Sequence, residues 1–138
     1  MYKFELDDLH DLLANRRAPL VVGHLPYEVR KFFGRSKEPV LLSRESYSHI
    51  LTKHRDHINT SEILRLPQLL REGRWTFDKG LTCSVYLNVS ANRRFLKAAV
   101  KVTSDRSESY VTTMHRTHAK HIKQLEKRGT PLRAPWNS

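Results

Sequence analysis

One cysteine, Cys83, stands in 138 residues, so no disulfide can form within the chain. It lies in a strand-like alternation and reads as a packing residue rather than a nucleophile. No apolar run approaches the length of a membrane span. The first ten residues, MYKFELDDLH, are acidic and lack the core of a signal peptide, so the expected site of action is the cytoplasm. Glycine is scarce and scattered over positions 23, 34, 73, 80 and 129, which leaves no Gly-rich loop to cradle a nucleotide phosphate. A serine-hydrolase elbow is absent, and no two carboxylates stand out as a pair for glycoside chemistry. There is no internal repeat and no low-complexity tract. Acidic residues are the last shortage: 14 Asp+Glu face 25 Lys+Arg, giving a net charge of +11 and a pI of about 10.2. Such an excess suits a polyanionic partner, because each phosphate contact releases counterions.

What is present fits one ordered domain. The hydrophobic fraction is 38% and the aromatic fraction 9%, enough for a single core in a chain of this length. Residues 1–128 are expected to form the domain and 129–138 a C-terminal tail. Phe4–Asn15 has its apolar residues at helical spacing, Leu20–Val22 is a short strand candidate, and Pro26 opens a helix that stops at Gly34. Pro39–Leu42 is extended. Ser43–Ile58, SRESYSHILTKHRDHI, reads as one amphipathic helix capped by Ser43. Wound at about 100° per residue, it places Tyr47, Ile50, Leu51, His54 and Ile58 on one side, His57 on the flank and His49 facing away. Thr60–Ser61 caps a further helical segment that Pro67 splits.

After Gly73 the period changes from helical to two. Arg74–Asp78, Leu81–Val89, Arg94–Thr103 and Glu108–His115 read as four strands joined by turns at 78–80, 90–92 and 104–107. Helices first and strands second predict an α+β fold, with N-terminal helices covering one face of a four-stranded antiparallel meander. Its other face should show Ser84, Tyr86, Asn88, Lys97 and Lys101 to solvent. Arg116–Arg128 is a candidate last helix.

Histidine is the abundant chemical group: there are eight. His115, His118 and His121 are spaced by three, but no cysteine or carboxylate joins them, and no metal site and no cofactor is expected. Histidine, lysine and hydroxyls in a basic protein suit RNA cleavage without a metal. A base takes the proton of the attacking 2′-OH, an acid protonates the leaving 5′-oxygen, and cations hold the charge of the phosphorane. Histidine titrates near neutral pH and can fill either proton-transfer role. Spacing alone leaves open that His54 is a hydrogen-bonded core side chain.

Three sets of residues carry a resemblance: VLLSRESYSHILTKH at 40–54, EILRLPQLL at 62–70, and the late strands RRFLKAAVKV and SYVTTMHR. Together they resemble the phage-associated branch of the Barnase–EndoU–colicin–RelE-like (BECR) nuclease and toxin superfamily, over roughly residues 38–116. The resemblance implies a metal-independent, toxin-like endoribonuclease that leaves a 2′,3′-cyclic phosphate. It implies His49 and His54 as proton-transfer groups, Lys101 as the charge stabiliser, and Thr113 or Thr112 as the residue that positions a phosphate oxygen. His57 and His115 are alternatives for the second proton-transfer group. Arg94, Lys97, His115 and Arg116 are expected to line the RNA path. Expected partners are RNA, with tRNA as one candidate, and an acidic immunity or antitoxin protein, with no membrane. Delivery as part of a larger toxin or phage particle fits the same picture. The alternative reading is a non-catalytic basic nucleic-acid-binding module of phage or mobile-element origin.

Overall fold

A computed structural model describes residues 3–35, 37–54, 56–89, 94–103 and 108–133. Its elements in chain order are α1 (Leu6–Leu13), β1 (Leu20–His24), α2 (Tyr27–Phe33), β2 (Pro39–Leu42), α3 (Arg44–Lys53), α4 (Thr60–Ile63) and α5 (Leu66–Glu72). They are followed by β3 (Arg74–Lys79), β4 (Thr82–Asn88), β5 (Arg94–Val102), β6 (Ser109–His118), α6 (Ala119–Arg128) and β7 (Thr130–Arg133). Among the described residues no helix is long and apolar enough to cross a membrane.

The chain is α+β, but the expected four-stranded meander is corrected to a seven-stranded mixed sheet of order β1-β2-β6-β5-β4-β3-β7. β3 to β6 are sequential antiparallel neighbours, as their alternation requires. β2 then joins β6 in parallel and carries β1 on its far side. β7 adds to the opposite edge, so Thr130–Arg133 are sheet rather than tail. These additions were hidden for a physical reason. Val40, Leu41 and Leu42 are all buried, so β2 shows no alternation to read. β7 carries Pro131, tolerated because the strand lies at an edge. The turns expected at 90–92 and 104–107 lie outside the described residues.

One face of the sheet packs on α1, α3 and α5. Leu96, Ala98, Val100, Cys83, Val85, Trp75, Met114 and Val111 meet Leu9, Leu12, Tyr47, Ile50, Leu66 and Leu69 in one buried cluster. Cys83 is fully buried there, and burial pushes its thiol up to about 12, so it is unsuited to nucleophilic work. The other face is not the open polar surface expected. α6 lies across it, and Ile122 and Leu125 cover Tyr86 and Phe95. Thr76, Ser84 and Tyr86 are buried in consequence. The Tyr86 hydroxyl meets Thr76 at 2.7 Å and donates to Glu126 at 2.8 Å, and Glu126 also binds Arg74 at 2.6 Å. β6 runs through His118, three residues farther than its expected end, so the last helix starts at Ala119 rather than Arg116.

The sheet is curled. Helix α2, which links β1 to β2, reaches across to the far edge: Phe32 and Phe33 stack on Phe77 of β3 at 4.9 and 6.1 Å, and Glu28 pairs with Arg133 of β7 at 3.9 Å. Both edge strands therefore flank the same helices. The curl also opens a rim at β6. Among the described residues only Ser109 and Tyr110 of β6 pair with β2, and the outer edge of its second half has no strand partner.

Candidate active site

The chain after α3 covers that open rim. α3 is capped as the sequence predicts, with Ser43 Oγ accepting from the Ser46 amide at 3.1 Å. It ends earlier than the wheel implied, at Lys53, with His54 as C-cap. The residues beyond leave the helix because β6 offers them hydrogen bonds: the Arg116 amide donates to the His57 carbonyl at 2.6 Å, and the His57 amide donates to the His54 carbonyl at 2.7 Å. An unpaired strand edge competes successfully with another helical turn.

This termination decides the histidine geometry. On a continued helix His49 and His54 would diverge. Here their rings lie 6.2 Å apart, edge to face. The ring of His115 lies 4.8 Å from His54 on its other side, tilted by 30°. His115 belongs to the sheet face that carries α6, because it pairs with Lys97 across β5 and β6. His54 belongs to the helix layer on the opposite face. The two meet because both reach around the rim of the sheet.

Burial is the main force on His54 and His115. It lowers the pKa of His54 first, with the neighbouring His115, His49, Lys53 and His57 pushing the same way. It lowers His115 first as well. There the hydrogen bond between Nδ1 and the Arg116 carbonyl, at 3.0 Å, opposes the shift, and Lys97, His121 and His57 add to it. His121 is lowered by burial, then by Lys97 and Arg128. Lys97 is itself lowered by burial against the pull of Asp78. Burial thus favours the neutral form of His54, His115 and His121 beside the basic side chains of the rim. That state serves a general base directly, and an incoming phosphodiester anion would raise the histidines toward the protonated form a general acid needs.

The other sequence candidates divide between two sides of the rim. Lys97, Thr113 and His115 share the α6 face, with Thr113 opposite Ala99. Lys101 pairs with Thr82 and Tyr110, four residues along β5 from Lys97, so it stands roughly 13 Å away along the strand. It is exposed and is not brought to the histidines. Thr112 is the extra residue of a bulge between the Ala99 and Val100 pairings, and its hydroxyl donates to the Ala99 carbonyl at 3.3 Å. Arg94 and Arg116 face the other way. With Asp56, His57, Thr117 and His118 they line a cleft of about 190 Å³ at the end of the sheet. Arg116 is held there by Glu62 at 3.3 Å and by the Asp56 carbonyl at 3.4 Å.

Among the described residues no three His, Cys, Asp or Glu side chains are grouped to hold a metal ion. The sequence offers His57 as an alternative proton-transfer group, and weighs His118 and His121 only as metal ligands with His115. His57 had a sequence signal, its flank position in the same motif. The placing of His118 beside Arg94 follows from strand register, and that of His121 near Lys97 from the packing of α6, neither of which spacing reveals. No protein-family model, curated protein or solved structure matches the chain.

Proposed function

We propose that this chain is a metal-independent endoribonuclease that cleaves by attack of the ribose 2′-OH and leaves a 2′,3′-cyclic phosphate. The observation that carries the proposal is the gathering of His49, His54 and His115 at one rim, with His54 in the middle. In-line displacement puts the entering and leaving oxygens on opposite sides of phosphorus. The two proton-transfer groups must then stand apart with room between them. The 6.2 Å separation of His49 and His54 fits that need better than the closer stack of His54 on His115. We therefore assign His54 and His49 to proton transfer. His115 acts on His54: it fixes the ring by contact and adds to the burial that lowers its pKa. Lys97 takes the charge-stabilising role expected of Lys101, since it is the lysine directly across the strand pair from His115. Thr113 remains the hydroxyl for a phosphate oxygen, because the Thr112 hydroxyl is engaged by Ala99. The cleft of Arg94, Arg116, His57 and His118 would grip a neighbouring phosphate.

The purified protein should cut mixed RNA in EDTA, with cyclic phosphate at the new ends. His54→Ala should remove cleavage while circular dichroism stays native. The second reading, a nucleic-acid-binding module without chemistry, draws on the same basic rim. It predicts salt-sensitive binding that survives His54→Gln and leaves the RNA intact. Action in the cytoplasm, a toxin-like role of phage origin and an acidic inhibitor covering the basic rim belong to the proposal and wait on the cleavage result.

A further inference from the structure

A larger cleft lies elsewhere in the fold and shares no residue with the histidine rim. Its volume is about 450 Å³, within the roughly 300–1,000 Å³ of small-molecule sites. It forms where the curled sheet brings its two edge strands to the same helices. β1 contributes Gly23 and His24, α5 contributes Pro67, Leu70 and Arg71, and Arg133 comes from β7. Pro26, at the start of α2, and Lys37, before β2, complete the lining.

The lining has two halves. Pro26, Pro67 and Leu70 form an apolar wall. Gly23 keeps the wall close, since a Cβ there would lie 2.9 Å from Leu70 Cδ1. His24, Lys37, Arg71 and Arg133 carry the other half, and among the described residues no acidic side chain lines the cleft. The acids that do reach these cations sit outside it. Glu28 is 3.9 Å from Arg133, and Glu72 is 2.9 Å from Arg71, with both arginine–acid pairs partly solvated. Such pairs hold a guanidinium weakly, so it remains available to a stronger anion. Cations from three separate segments, with the His24 ring beside them, converge on one apolar wall. A single carboxylate would leave most of that charge unmatched, whereas a phosphomonoester near neutral pH carries close to two negative charges.

We propose that this seam cleft is a binding site for a small organic phosphate: a phosphomonoester held by His24, Lys37, Arg71 and Arg133, with an apolar or aromatic body against Pro26, Pro67 and Leu70. The proposal does not depend on the nuclease reading. It assigns no chemistry to the cleft and makes it a ligand site.

The test is a titration of the full chain followed by NMR of the histidine ring protons, with three probes: adenosine monophosphate, inorganic phosphate and adenosine. The monophosphate should saturate and move the His24 resonances. It should bind at least about tenfold more tightly than phosphate, which lacks the body, or adenosine, which lacks the charge. Because the anion lies beside the ring, the His24 pKa should rise on saturation. Lys37→Ala with Arg71→Ala replaces exposed side chains, and should weaken the monophosphate about tenfold or more while near-UV circular dichroism is unchanged. Binding in His54→Ala should equal wild type. The proposal is overturned if nothing saturates at millimolar monophosphate, or if adenosine or phosphate binds as well. It is also overturned if binding survives the double substitution and is lost instead with Arg94→Ala, which would place the anion in the other cleft.

Discussion

His54 and His115 touch, yet the proposed chemistry gives them different work, and kinetics can separate them. If His54 must be neutral to act as base, its pKa sets the acid limb of kcat/KM. Burial and the cluster lower that pKa, so the limb should fall below about 6.5, the ordinary histidine value. Replacing His115 with Gln removes one of the groups that push His54 down and opens space beside it. The acid limb should then move to higher pH, toward the ordinary value, with activity reduced but measurable. His49→Ala should instead lower kcat by about a hundredfold or more, with a smaller upward shift of the acid limb, because His49 pushes His54 down less than His115 does. A pH–rate profile of each variant decides the assignment, and an unmoved limb in His115→Gln would remove His115 from its positioning role. The lysines make a second contrast. Lys97→Met should lower kcat by about tenfold or more, while Lys101→Met, exposed and roughly four residues distant along β5, should stay within about threefold.

At the scale of elements, what was legible depended on whether a segment's surroundings repeat with its own period. β4 and β5 were readable because one face meets the core, so Cys83, Val85 and Leu96, Ala98, Val100 alternate with polar neighbours. The same reading misjudged the second face, since Tyr86 and Phe95 are covered by α6, a contact made 30 or so residues later in the chain. α3 was readable to Lys53. Its true end was not, because no glycine or proline marks it and Ile58 keeps the apolar period after the helix has stopped. The stop comes from β6, through the Arg116–His57 hydrogen bond. So His54 was found as the odd polar residue in an apolar stripe, but the reason it is available for chemistry lay in a strand edge some 60 residues away. β7 was missed for a similar reason, and Gly129 shows how tightly it is seated. A Cβ there would lie 2.5 Å from Thr76 Cγ2 and 2.6 Å from the Phe77 carbonyl oxygen, and the latter is backbone that cannot swing aside. Gly129→Ala should lower the unfolding free energy by about 1–3 kcal/mol in urea titrations, as overpacked sites do. An unchanged midpoint would mean that α6 and β7 are not held against β3 in this way.

The whole molecule carries +11, and two properties follow from how that charge is arranged. RNA binding measured with the cleavage-deficient His54→Ala protein should weaken as salt rises, with a log–log slope of about −0.7 for each phosphate neutralised. Arg94→Ala should make that slope shallower by about one such step, because Arg94 is exposed and lines the cleft proposed to grip a phosphate. The second property is stability against acid. His24, His54, His115 and His121 all have pKa values lowered in the fold, with burial the first cause in each. In the unfolded chain they return to about 6.5. Below that pH the unfolded chain takes up protons that the folded chain resists until its own lower pKa values are reached. The unfolded state therefore binds more protons across this window, and stability must fall as pH falls. Each proton gained also adds to a surface that is already strongly positive. The melting temperature should hold nearly level above about pH 7 and decline from about 6.5 downward, before most carboxylates begin to titrate. His54→Gln with His115→Gln takes two of the four groups out of the balance, so its melting curve should decline less steeply over the same range. A wild-type melting temperature that stays flat or rises between pH 6.5 and 5 would show that these rings are not held neutral by burial.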